Sequence, residues 1–143
     1  MARAATILGA AIAMSFTMAS ADAMSAYHWK NRPVVVFAGQ GGESSLAEQR
    51  RIFAASRAGL AERDVVVVWV TGNSVRADLG PGPGMTAAQL RARFGAPDNG
   101  FRIVLVGKDG GAKLTQSSPL GTAALFGTID AMPMRRDEIR RSR

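Results

Sequence analysis

The chain contains no cysteine. That absence excludes disulfides, thiolate nucleophiles, sulfenate chemistry and Cys-ligated metals. Histidine occurs once, as His28, so a Ser-His-Asp triad or a His-based zinc site would have to run through that one ring. His28 stands between Tyr27 and Trp29 with no second imidazole to share a metal, and it reads as a packing or surface residue. Lysine is absent between Lys30 and Lys108, which removes any Walker-type phosphate loop from the glycine-rich region between them. Aromatic residues make up 6% of the chain and are scattered. No recognition motif accompanies them, so nucleic acid is not an expected partner.

What is present begins with an apolar leader. Arg3 precedes Ala4–Ala19, which carries no charge, and Ala19-Ser20-Ala21 fits a small-x-small cleavage site. This predicts a secretory signal over residues 1–21, cut after Ala21 or Ala23, and a periplasmic or secreted product. The run is short for a membrane span, so no transmembrane segment is expected once the signal is removed. The domain plan is a lead-in over 22–32, one folded domain over 33–134 and a basic tail over 135–143. The formal charge is +7. Arg135, Arg136, Arg140, Arg141 and Arg143, against Asp137 and Glu138, place +3 of it in the last nine residues. That stretch reads as a solvated terminus able to meet an anionic surface through Arg135, Arg136, Arg140 and Arg141.

Two continuous β-branched runs, Pro33–Ala38 and Asp64–Val70, predict strands buried on both faces. Between them Ser45-Leu46-Ala47-Glu48 has the form of a capping box, and Gly59 the form of a helix stop, predicting a helix over Leu46–Ala58. Gly72–Met85 reads as a long loop. Thr86-Ala87-Ala88-Gln89 is a second capping box, opening a helix that ends at Gly95. Phe101–Val106 predicts a third strand. Asp109-Gly110 signals a hairpin returning through Ala112–Thr115. Arg102, within that strand, is expected to pair with an acid or line a groove. Ser118 and Pro119 predict the start of a last helix, which Pro133 would stop. The order β-α-β-α-β-β-α implies an α/β domain with a four-stranded mixed sheet flanked by helices, the thioredoxin-like core.

In that fold the bend at Gly39–Ser45, between first strand and first helix, is where thioredoxin-like enzymes hold reactive cysteines. Here it reads Gly39-Gln40-Gly41-Gly42-Glu43, with no nucleophile. The cis-proline expected before the third core strand is replaced by Gly100 and Phe101. A dinucleotide loop fails too, because Ser44 occupies the third glycine position. Backbone N–H groups at this bend can hold a small anion. The candidate ligand-binding residues are therefore Gln40, Gly41, Gly42, Ser44 and Ser45, with Arg32 and Lys108 as possible neighbours. Met132-x-Met134 offers two thioethers, but beside a helix-stopping proline they read as packing. No catalytic residue, metal site or cofactor is expected.

The segments "WKNRPVVVFA", "LAEQRR", "FRIVLVGKDGGAKL" and "LFGTIDAMPMRRDE" resemble a thioredoxin-like domain family of unknown function found in small secreted bacterial proteins. That family is similar to domains in vertebrate matrix proteins of the sushi-repeat and equarin group. The resemblance spans about Tyr27–Arg140 and is most specific at Gly107-Lys108-Asp109-Gly110 and Met132-Pro133-Met134-Arg135-Arg136. It implies a thioredoxin-like fold and no established activity. The resulting expectation is an exported, non-catalytic interaction domain whose partner is an unidentified protein or envelope component. The alternative is a small-anion binder at Gly39–Ser45.

Overall fold

The structure, a computed structural model, describes residues 23–143; the expected signal over 1–21 lies outside the described residues. A short 3-10 helix, Ala23–Tyr27, leads into strand β1, Arg32–Ala38. Helix α1, Glu43–Ala55, and helix α2, Arg57–Glu62, carry the chain to β2, Val65–Thr71. Strand β3, Ser74–Asp78, folds back on β2 before helix α3, Ala87–Phe94. Strands β4, Phe101–Val106, and β5, Ala112–Gln116, form a hairpin. Helices α4, Thr122–Asp130, and α5, Pro133–Arg141, complete the described chain.

The sheet has five strands in the order β3-β2-β1-β4-β5. β1 pairs parallel with β2, with Val35 opposite Val68, and antiparallel with β4, with Val35 opposite Val104. The remaining neighbours are antiparallel. The fold class expected from the sequence is therefore corrected from four strands to five.

Alternation along the central strands divides the core into two layers. Val34, Val36, Val67, Ile103 and Leu105 face Phe53 of α1, Leu60 of α2, and Leu125 and Ile129 of α4. Val35, Phe37, Val66, Val68 and Val104 face Leu90 of α3 and the lead-in residues Met24 and Tyr27. This explains why β1 and β2 read as unbroken apolar runs: both faces are covered. Each buried valine contributes about 1.5–3 kcal/mol through loss of apolar surface to water.

The helix ends depart from expectation for identifiable reasons. α1 starts at Glu43 after Gly42, and no side chain caps it, so the Ser45 box does not form. A Cβ on Gly42 would collide with the Gly100 carbonyl oxygen, so contact with a neighbouring loop fixes the entry. Gly59 does not end a helix but lies inside α2, where its missing Cβ admits the Phe126 ring. Asp64 precedes β2 in a left-handed conformation, φ 55°. Ser118 and Pro119 form a turn before α4 and accept hydrogen bonds from the Gln116 side chain. Leu120, just ahead of α4, is held by buried Gln49: Oε1 accepts from its N–H at 2.6 Å, and Nε2 donates to its carbonyl at 3.0 Å. The Thr86 box forms as read, with Thr86 Oγ1 accepting from Gln89 N–H and Gln89 Oε1 accepting from Thr86 N–H. Gly95 closes α3 at φ 61°, and Arg102 donates to the Gly95 carbonyl rather than to an acid.

Candidate functional site

The glycine bend and the two cations assigned to it lie at opposite ends of β1. At the exit of β1, Gly39 N–H donates to the Gly100 carbonyl, Gly100 N–H to Gln40 O, and Gly42 N–H to Gly39 O, all at 2.9 Å. A Cβ on Gly39 would strike the Asp98 carbonyl oxygen. These glycines let two loops lie backbone to backbone. Gln40, Gly41 and Ser44 are exposed, Ser45 is half-buried and Gly42 is buried. The bend stands at the amino end of α1, and the Gly39 and Gly42 N–H groups within it are used by the fold.

Arg32 and Lys108 occupy the entry of β1, six strand steps away, or about 20 Å. They are therefore not neighbours of the bend. Arg32 is 1% exposed. Its guanidinium grips both oxygens of Glu138, at 3.2 and 3.1 Å, and donates to Arg63 O at 2.9 Å. Lys108 Nζ reaches Glu138 at 2.6 Å and Asp64 at 2.8 Å. Arg135 donates to Asp130 and Glu62, both at 3.1 Å. Arg63 chelates Asp130 and lies 3.8 Å over the Phe126 ring. Arg32, Arg63, Lys108 and Arg135 thus meet Glu62, Asp64, Asp130 and Glu138, and every cation has a carboxylate.

This network corrects the reading of 135–143 as a solvated tail. Residues 133–141 are helical, Pro133 opens α5 rather than stopping α4, and Arg135 is buried. Burial opposes charge on Glu138, but hydrogen bonds from Arg32 and Lys108 outweigh it and bring its carboxyl down to about 2. Asp130 is likewise lowered, chiefly by the Arg63 hydrogen bond, with Arg135 adding to it.

Above this network opens a cleft of about 440 Å³. Trp29, Met132, Pro133 and Met134 supply its apolar walls, and Arg32, Lys108 and the Lys113–Asp109 pair its polar ones. Trp29 is 64% exposed in a left-handed conformation, φ 64°, pinned by its N–H to the Lys108 carbonyl at 2.9 Å. His28 packs beside Gly110, and among the described residues no hydrogen bond joins it to a hydroxyl or carboxylate. The two segments that carried the resemblance, Gly107–Gly110 and Met132–Arg136, converge on this one end of the sheet. Trp29 lines this cleft but is not among the candidates read from the sequence; its place beside His28 ahead of β1 gives no sign of its conformation. A second cleft, of about 420 Å³, lies between α1, α2 and the β2–β3 hairpin, around Trp69 and Arg50, Arg57 and Arg76.

These features define an α/β domain with a five-stranded mixed sheet flanked by helices. The chain belongs to the family described as domain of unknown function DUF4174, which matches residues 23–138. No curated protein and no solved structure matches it. No described helix is long and apolar enough to cross a membrane.

Proposed function

We propose that this chain is an exported, non-catalytic binding domain on a thioredoxin-like scaffold, and that the Trp29 cleft is its contact surface. The scaffold reading is supported by the β1-α-β2 parallel crossover, the β4–β5 hairpin and the order β2-β1-β4-β5 within the sheet. Gly100 faces the Gly39–Gly42 bend, across which a thioredoxin-like enzyme would hold its thiols. No cysteine is available for such chemistry.

The observation that carries the binding reading is Trp29. A large apolar side chain held exposed, on a backbone conformation costing about 1–2 kcal/mol, contributes little to the fold. It stands across from exposed Met134, and adaptable thioether walls beside a rigid indole suit a protein or peptide partner. The partner class is a protein or envelope component with an apolar anchor.

The test is retention of envelope or secreted components on immobilised protein, comparing wild type with Trp29→Ala/Met134→Ala. A species held by wild type should fall at least about tenfold in the double variant, with unchanged circular dichroism. Equal retention by both proteins overturns the reading, as does turnover of any retained species.

A further inference from the structure

The second cleft has a different chemistry from the first. Arg50 comes from α1, Arg57 from the start of α2 and Arg76 from β3, and all three line one concavity beside Trp69 and Thr71. Asp78 is, among the described residues, the only carboxylate lining it, and it is engaged by Arg57 at 2.8 Å. Among the described residues Arg50 and Arg76 have no carboxylate partner. Arg50 lies 5.6 Å over the Trp69 ring, and Arg76 is the cross-strand partner of Trp69. The cleft therefore holds three guanidinium groups against one acid, whereas each cation in the network at the entry of β1 is matched.

The geometry points to this cleft as a site for a phosphoryl group, a dianion whose charge balances the net +2 of Arg50, Arg57, Arg76 and Asp78. A tetrahedral phosphoryl group accepts hydrogen bonds along several directions, and these donors arrive from three separate elements; planar forks suit such oxygens. Thr71 adds a hydroxyl at the end of β2. The site is separate from the Trp29 cleft and does not depend on the reading given to it. It is also distinct from the Gly39–Ser45 bend, which contains no cation.

Trp69 provides the probe. In the Trp29→Phe protein it is the sole tryptophan, and a ligand drawing on Arg50 alters its emission. Inorganic phosphate, glycerol phosphate and vesicles of phosphate-headgroup lipid are titrated separately at constant ionic strength. A saturable change is expected, weakened about tenfold by Arg76→Ala and unaffected by Lys30→Ala, an exposed cation ahead of β1 that does not line the cleft. Arg76 is exposed on an edge strand, so its replacement should leave the melting temperature in phosphate-free buffer unchanged. Tightest binding of the soluble ester assigns a free phosphorylated compound, and binding of vesicles alone assigns a lipid headgroup; either supports the site. A non-saturating response that chloride reproduces, or equal weakening by Arg76→Ala and Lys30→Ala, overturns it.

Discussion

Gln49 and Trp29 stand at opposite extremes of burial. Gln49 is fully buried, yet both ends of its amide are used on Leu120, so it acts as a short piece of backbone joining α1 to the segment before α4. Trp29 is the reverse case, an apolar ring left in solvent on a strained backbone. Asparagine tolerates the left-handed region better than tryptophan. Trp29→Asn should therefore match or exceed wild-type stability by about 0.5–1 kcal/mol in urea unfolding, while losing the retained partner. A loss of more than about 1 kcal/mol would make Trp29 a packing residue instead.

At the scale of elements, α5 is held to the sheet by charge more than by apolar contact. Its Glu138 carries a carboxyl lowered to about 2 from an ordinary 4.5 by Arg32 and Lys108, against the cost of burial. A lowered value stabilises the fold above the unfolded pKa, and that stabilisation drains away as pH falls from about 4.5 towards 2. It amounts to on the order of 2–3 kcal/mol. Glu138→Gln leaves Arg32 and Lys108 short of a partner at neutral pH, costing about 3–5 kcal/mol. Urea unfolding of the two proteins should show a gap that is wide at pH 7 and narrows below pH 4. A gap independent of pH would show that Glu138 does not act through its charge.

The elements also show what the sequence makes visible. β1, β2 and β4 were legible because burial on both faces demands continuous apolar runs, and α3 because its cap and stop are local chemistry. β3 was hidden because an edge strand is only partly covered, and Ser74–Asp78 carries no such run. The Gly72-Asn73 pair between β2 and β3 was the available hairpin signal, with Gly72 at φ 55°. The start of α1 was misplaced because contact between Gly42 and Gly100, distant in sequence, overrides the local serine box. The Arg32–Glu138 pair was beyond reach, since nothing local marks a partner 106 residues away.

For the whole molecule, the pairing pattern ranks local stability. β1 is hydrogen-bonded on both edges and covered on both faces, whereas β3 and β5 each have one unpaired edge. Native-state hydrogen exchange should find the slowest amides in Val34–Phe37 and their partners in β2 and β4, and the fastest strand amides in β3 and β5. Protection of β3 equal to that of β1 would mean that its outer edge is covered in solution. Of the candidate surfaces, the sequence marked the glycine bend by composition alone. Both clefts arise from residues brought together across the sheet, which periodicity does not report.

The Glu138 clamp has a consequence for biogenesis. A ribosome releases Arg32 long before the carboxylate that neutralises it. Until α5 emerges, Arg32 at the entry of β1 is without its carboxylate partner. Closure of that end of the sheet therefore waits until α5 has been translated.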